Sequence, residues 1–183
     1  MDRFISDLHL GHKIALNFDK RPFATLEEME KAIVKNWNDV VEEADDVYIL
    51  GDVGVGVKKV IPVLKQLKGK KHLIVGNWDA NLLEDDDFKG LFIEIENYKE
   101  IEGPGGIGIV LSHYPIPCFK NQSYGWVMLH GHVHNSREDG YIRYVAEQSR
   151  AHGRECNIYN VSCMLKHMGY TPRTLEEIIR DYR

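Results

Sequence analysis

Five short, mostly apolar runs along the chain each lead into a polar motif. The runs cover residues 3–6, 47–50, 72–75, 107–111 and 126–129. Apolar runs of this length are typical of strands that are covered on both faces. Because the polar motif follows the carboxyl end of every run, we expect the motifs to meet at one ligand-binding edge, as in layered α/β folds.

The segments between the early strands have apolar residues at helical spacing. Two sets of apolar residues repeat every three or four positions: Leu26, Met29, Ile33, Trp37 and Val40 in the first, and Val57, Val60, Ile61, Leu64 and Leu67 in the second. Thr25 and Glu28 form a capping box that predicts the start of the first helix. Because an interior proline breaks a helix, Pro62 should lie in the first turn of the second helix or mark a late start. Gly69 is the expected C-cap.

The second half of the chain predicts a hairpin, a helix, a strand and a last helix. The hairpin joins residues 98–101 to 107–111 around a glycine-rich turn, and the helix covers residues 141–152. The strand covers residues 158–161, and a capping box at Thr174 and Glu177 opens the last helix. This order predicts an α/β fold with two packed mixed β-sheets flanked by helices in four layers. We expect one domain over residues 1–183.

Composition and charge exclude several classes of protein. The chain has 183 residues, 43% hydrophobic and 28% charged, and its net charge of −5 predicts no stable nucleic-acid partner. No apolar run approaches the roughly 20 residues of a membrane span, and the first residues lack the apolar region of a signal peptide. The three cysteines form no close pair, which predicts a reduced, cytoplasmic protein. These numbers indicate no particular oligomeric state.

The polar motifs together contain the ligands of a metal site. They are Asp7-Leu8-His9, Gly51-Asp52, Gly76-Asn77-Trp78-Asp79, Ser112-His113 and Gly131-His132-Val133-His134. Two aspartates, one asparagine and four histidines suit two hard-to-borderline divalent cations. Two such ions about 3.5–4 Å apart are a known device for in-line attack on a phosphorus ester.

Each motif alone has a simpler explanation. Asp7 and His9 can be a turn aspartate and a packed histidine, Asp52 can belong to an ordinary Gly-Asp turn, and His132 and His134 can be solvated. The conjunction favours metal binding, because seven ligand-type residues follow strand ends in an order that one rim can collect.

These motifs resemble those of the calcineurin-like metallophosphoesterases. That family is recognised by Asp-x-His, a Gly-Asp block, Gly-Asn-His-Asp/Glu, a later His, and Gly-His-x-His. All five blocks occur here in order between Asp7 and His134, and their flanks are similar to small bacterial and phage-type members. The resemblance implies two metal sites, which share Asp52 as a bridging ligand. The first would be Asp7, His9, Asp52 and His134, and the second Asp52, Asn77, His113 and His132.

The resemblance also implies the metal and the reaction. The ligand mix suits two divalent transition-metal ions, with Mn expected first and Fe, Zn, Ni or Co as alternatives. The implied activity is hydrolysis of a small phosphate ester. We favour a phosphodiester, which can be a nucleotide, a cyclic nucleotide or another small diester, over a phosphomonoester, because one anionic charge fits a net-acidic protein better. The alternative is a pseudoenzyme that binds metal and a phosphorylated ligand without turnover.

Trp78 departs from the family's pattern, which has histidine there to contact the phosphate or protonate the leaving oxygen. Indole offers an N–H donor but no transferable proton. Since general-acid catalysis is worth roughly 10²–10⁴-fold, its absence should slow esters with poor leaving groups most. His12, His130 or Asp79 are candidates to replace the acid. The predicted catalytic residues are Asp52, Asn77, Trp78, Asp79 and His12.

Two other residues have open interpretations. Arg21 has the right geometry to clamp a phosphate, although a solvent-exposed surface arginine is the simpler interpretation. Tyr114 follows a ligand histidine, so it either lines the pocket or packs inside the fold.

Overall fold

Two four-stranded sheets form the centre of the computed structural model, which describes residues 1–182. The first sheet contains β1 (Asp2–Ile5), β2 (Asp46–Ile49), β3 (Lys70–Ile74) and β4 (Glu94–Glu96), in that order. The second contains β5 (Tyr98–Glu102), β6 (Gly108–Ser112), β7 (Val127–His130) and β8 (Asn157–Asn160). The five predicted apolar runs are β1, β2, β3, β6 and β7, and the predicted returning strand is β8.

Across the described residues, 1–182, six helices connect and flank these strands. They are α1 (Ala15–Phe18), α2 (Leu26–Val40), α3 (Val57–Leu64), α4 (Asp86–Lys89), α5 (Arg137–Ala151) and α6 (Leu175–Asp181), with 3₁₀ turns at Pro104–Gly106 and Gln122–Tyr124. The predicted α/β class with two sheets and flanking helices is confirmed.

The first sheet is fully parallel, so its prediction as a mixed sheet was wrong. Helices α2, α3 and α4 lie in its three successive connections, and each therefore returns the chain in the same direction. The second sheet is mixed, because β5 pairs antiparallel with β6 while β6, β7 and β8 are parallel. The predicted hairpin is this β5–β6 pair.

Helix caps explain where two of the helices begin. The Thr25 hydroxyl accepts the Glu28 N–H at 3.2 Å, but the Glu28 carboxylate accepts from Ala24 N, one residue before the expected partner. Thr174 and Glu177 form a complete capping box at α6.

The predictions for Pro62 and Gly69 were wrong. Helix α3 begins after Gly56, so Pro62 lies inside it, where its nitrogen cannot donate to the carbonyl four residues earlier. The helix ends with Lys65 as C-cap, and Gly69 instead forms a later turn with a φ of +80°.

One hydrophobic cluster spans both sheets, with Ile5 and Leu73 from the first and Leu111 and Leu129 from the second. The two sheets also meet in a backbone bridge next to the strand ends. Ser6, directly after β1, accepts the Cys163 N–H at 2.9 Å and donates its own N–H to Val161 at 3.0 Å. The bridge brings the carboxyl ends of β1, β7 and β8 to one edge, where the polar motifs lie.

Candidate metal centre

Four side chains from three of the motifs converge at this edge. Asp7, His9, Asp52 and His134 each offer one ligand atom, and these four atoms all lie within 4.8 Å of one another. Asp7, His9 and Asp52 are buried, whereas His134 is partly exposed. This cluster can hold a metal ion.

The Asp7 carboxylate is fixed by hydrogen bonds on its inner oxygen. Oδ2 accepts from the Ser6 hydroxyl at 2.6 Å, the Ser162 hydroxyl at 2.7 Å and the His132 backbone N–H at 3.1 Å. Oδ1 faces the cluster, 3.1 Å from His134 Nε2, and shares the His132 N–H at 3.2 Å. Asp7 therefore presents Oδ1 to the cluster, while the two serine hydroxyls hold Oδ2.

His134 is held by a second carboxylate. Its Nδ1–H donates to Asp19 Oδ1 at 2.7 Å, and Asp19 Oδ2 accepts from the Arg21 guanidinium at 2.8 Å. Arg21 also donates to the backbone carbonyls of Asp7 and Leu8, each at 2.9 Å. Both interpretations of Arg21 were wrong: it is buried, and its hydrogen bonds hold the backbone of the first motif in place. Such carboxylate–histidine pairs commonly orient metal ligands.

Asp52 lies between two groups of side chains. Its Oδ2 is 3.7 Å from His9 Nε2, and its Oδ1 is 3.5 Å from His113 Nε2. Oδ1 also accepts the Trp78 backbone N–H at 2.9 Å. The two oxygens of one carboxylate therefore point toward different ligand groups.

The second group contains Asn77, His113 and His132. Asn77 Oδ1 is 3.0 Å from His113 Nε2 and 3.0 Å from His132 Nδ1. His113 Nδ1 donates to the Leu50 carbonyl at 2.8 Å, so in the neutral ring Nε2 carries a lone pair. Lone pairs of His113, Asn77 and Asp52 thus face one another, an arrangement that a cation between them would stabilise.

Burial and charge set the ionisation of the first group. Burial lowers the pKa of His9 to about 3, which keeps its ring neutral at physiological pH. Burial, together with the nearby Asp7 charge, raises the pKa of Asp52 to about 6. Burial alone would raise the pKa of Asp7, but the hydrogen bond and charge of His134 lower it well below its usual range. Burial also opposes protonation of His134, yet Asp19 and Asp7 raise its pKa to about 9.

Five of the seven predicted ligand residues have left-handed backbone. Their φ angles are 56° at Asp7, 51° at His9, 55° at Asp52, 69° at His132 and 47° at His134. Within residues 1–182, only three other non-glycine residues share this conformation: Lys20, Asn121 and Tyr170. The conformation costs about 1–2 kcal/mol for a residue with a Cβ, and such strain is concentrated at functional sites. Sequence reasoning missed this feature.

Asp79 is buried and supports the loops. Its carboxylate accepts backbone N–H groups of Asp52 at 3.0 Å, Val53 at 2.8 Å and Gly76 at 2.8 Å. With both oxygens occupied and none of its surface exposed, Asp79 holds the second and third motifs together. His130 is equally buried, and burial lowers its pKa to about 4.

Aromatic side chains surround the cluster on its open side. Trp78 is 47% exposed, and its ring centroid lies 4.6 Å from that of His12. His12 Nδ1 in turn lies 3.3 Å from His9 Nδ1. Tyr114 is 48% exposed and packs against His113 and His132, so it lines the site rather than the core. Among the acid candidates, His12 is thus the one beside both Trp78 and a ligand.

The fold and this cluster define an α/β protein of two sheets with a histidine–aspartate centre able to hold a metal. No family model matches the chain. It is 35% identical over 140 residues to the uncharacterized protein MJ1445 of Methanocaldococcus jannaschii, covering 75% of this chain and 71% of that protein. The chain belongs to the same family as this archaeal protein.

Phage proteins and a solved structure are also similar. The Gene 66 protein of Mycobacterium phage L5 is 28% identical over 159 residues, which cover 72% of this chain and 76% of that protein. The crystal structure of a protein of unknown function from Aquifex aeolicus superposes with a TM-score of 0.74 at 26% identity, over 98% of both chains. Within residues 1–182, none of the helices has the length and apolar character needed to cross a membrane.

Proposed function

We propose that the chain is a binuclear, metal-dependent hydrolase of phosphate esters, of the calcineurin-like metallophosphoesterase type. The proposed substrate is a small phosphodiester of nucleotide or cyclic-nucleotide class. The proposed ions are divalent transition metals, Mn first, with Fe, Zn, Ni or Co as alternatives.

The observation that carries this proposal is the position of Asp52. One of its oxygens faces His9 and the other faces His113, at 3.7 and 3.5 Å from the ring nitrogens. A carboxylate between two converging groups of lone pairs suits two cations that share one ligand. The three hydrogen bonds on Asp7 and the Asp19 contact of His134 support it further, because both ligands are oriented in advance.

Two ions held there would supply Lewis acidity and an activated water at neutral pH. The chain's own residues would orient the reactants. Asp52 lies between the two ligand groups, and Asn77 contacts both histidines of the second group. The exposed face of His132 and the rings of Trp78 and Tyr114 border the open side of the site.

Protonation of the leaving group is the step of the proposed reaction for which the site offers the fewest suitable residues. Trp78 cannot transfer a proton, and Asp79 and His130 are fully buried. His12 is the remaining candidate acid, with its ring 4.6 Å from Trp78. Burial lowers the pKa of His12, which disfavours the protonated ring that would act as the acid. Activated or cyclic diesters, which need less protonation of the leaving oxygen, are therefore the favoured substrates.

The second candidate is a pseudoenzyme that holds metal and binds a phosphorylated ligand without turnover. The indole at position 78, in place of a proton donor, is the observation that favours it. The complete set of seven ligand-type side chains favours the hydrolase.

Turnover of bis(4-nitrophenyl) phosphate by protein reconstituted with Mn²⁺ tests the proposal. We expect hydrolysis that disappears on chelation and falls to background in Asp52→Ala, which should lose metal at both positions. Asp87→Ala, an exposed carboxylate outside the cluster, is the matched control and should keep full activity. Protein that binds two ions per chain and hydrolyses no ester would establish the pseudoenzyme instead.

A further inference from the structure

A groove of about 480 Å³ opens directly beside two of the candidate ligands. His132 and His134 line it together with Phe18 and Lys20. Asn135, Ser136 and Glu138, around the start of α5, also line it. Its volume falls within the range of about 300–1,000 Å³ that is typical of small-molecule sites.

One wall of the groove is aromatic. The Phe18 ring stacks on the His134 ring at a centroid distance of 5.5 Å and an interplanar angle of 21°. Half of Phe18 is nevertheless exposed. A half-exposed ring fixed against a ligand histidine offers a stacking surface for a second planar ring.

The part of the lining around the start of α5 is polar, and its carboxylate is held in place. The Ser136 hydroxyl donates to the Glu138 carboxylate at 2.6 Å and accepts the Glu138 N–H at 3.1 Å, which holds that carboxylate in place. Asn135 contributes an amide that can both donate and accept. Ring edges and sugar hydroxyls are groups that such a wall can bind.

We propose that this groove, called here the nucleoside groove, binds the nucleoside part of a nucleotide whose phosphoryl group lies at the metal cluster. The base stacks on Phe18, and its edge and the sugar hydroxyls face Asn135 and Glu138. Lys20 adds a positive charge to a lining that also contains Glu138. This inference rests on the proposed function for the position of the phosphoryl group, and it adds the place where the nucleoside binds.

Two ligands that differ only in the base test the groove. Adenosine monophosphate and ribose 5-phosphate carry the same phosphoryl group and sugar, and calorimetry on Mn²⁺-loaded protein gives both affinities, with the ligands checked intact by chromatography. Base stacking on an aromatic side chain should make adenosine monophosphate bind on the order of tenfold more tightly. Equal affinities in the wild type would overturn the proposal.

Variants locate the base. Phe18→Leu should abolish most of the difference between the two ligands, because it removes the ring on which the base stacks. Tyr124→Leu is the control, because Tyr124 is 86% exposed and does not line the groove. If Trp78→Leu removes the difference while Phe18→Leu keeps it, the base lies over Trp78 and the groove assignment is wrong.

Different results would refute the hydrolase and the nucleoside groove. Hydrolysis of bis(4-nitrophenyl) phosphate without preference for the adenine ligand would refute the nucleoside groove and keep the hydrolase. Preference for the adenine ligand without turnover of any ester would refute the hydrolase and keep the groove.

Discussion

Individual residues at the candidate metal centre have left-handed backbone, which is unfavourable for a residue with a Cβ. His132 has a φ of 69°, and its ring faces Asn77 at the open side of the site. We expect metal-free His132→Gly to be more stable than metal-free His132→Ala by about 1 kcal/mol, because glycine enters the left-handed region without a steric penalty. Urea unfolding of both variants measures the difference.

The control for this comparison is an exposed helical position. Glu147 lies in α5, where glycine is less favourable than alanine by about 0.8–1.0 kcal/mol. The order of the glycine and alanine variants should therefore be reversed at Glu147. The same order at both positions would contradict stored strain at His132.

His134 should release a proton when metal binds. Its pKa of about 9 means that in the metal-free protein the ring is protonated at pH 7 and donates to both Asp19 and Asp7. Metal binding requires the Nε2 lone pair, so affinity should rise with pH until about 9 and then level off. Calorimetry in two buffers of different ionisation enthalpy should detect about one proton released per chain at pH 7.

Asp19→Asn is the variant that tests the cause of this proton release. It removes the charge that helps to raise the His134 pKa, so fewer protons should be released at pH 7 while the metal affinity falls. Unchanged proton release in Asp19→Asn would show that Asp19 does not set the protonation of His134.

Trp78 decides how the proposed reaction depends on the leaving group. In a series of substituted phenyl diesters, stacking stays nearly constant while the leaving-group pKa changes. We expect a steep fall of kcat/KM with rising pKa in the wild type. Trp78→His should make this dependence less steep, because it should raise kcat/KM most for the esters with the poorest leaving groups. The gain should stay within the roughly 10²–10⁴-fold scale of general-acid catalysis. An identical slope in both proteins would refute the missing-acid interpretation.

At the scale of elements, the strand-end loops pack too closely for side chains. A Cβ on Gly76 would lie 2.4 Å from both the N and the Oδ1 of Asp52. Gly76→Ala should therefore lower the free energy of unfolding by about 1–3 kcal/mol and weaken metal binding, because the third motif must move away from Asp52. Thermal unfolding and metal titration measure the two effects.

Gly140 provides the matched control for this substitution. It lies inside α5, and a Cβ there would meet nothing within 4 Å. Gly140→Ala should increase stability by about 0.5–1 kcal/mol and leave metal affinity unchanged. Equal effects of the two substitutions would show that the loops tolerate the added methyl group.

Most elements could be predicted because their patterns are local. Apolar runs gave five strands, and hydroxyl caps at Thr25 and Thr174 marked the starts of α2 and α6. Strand β4 was not predicted, because Glu94–Glu96 has only one apolar residue and forms through its pairing with β3. The parallel first sheet depends on the path of the connections, which periodicity does not encode.

At the scale of the whole molecule, the sequence indicated the candidate metal ligands but not the residues that hold them in place. Motif order at strand ends indicated that Asp7, His9, Asp52 and His134 would converge, and the structure brings them together. The long-range contact of Asp19 with His134 carries no local pattern. The burial of Arg21 and the left-handed backbone at the ligands arise only from tertiary packing.

The central claim is that two ions, sharing Asp52, make the chain a phosphodiesterase. The most direct test is a titration of metal-free protein with Mn²⁺, in which bound metal and hydrolysis of bis(4-nitrophenyl) phosphate are measured on the same samples. We predict that turnover remains low at one ion per chain and reaches its maximum at two. Full turnover at one ion, or none with two bound, would contradict the claim.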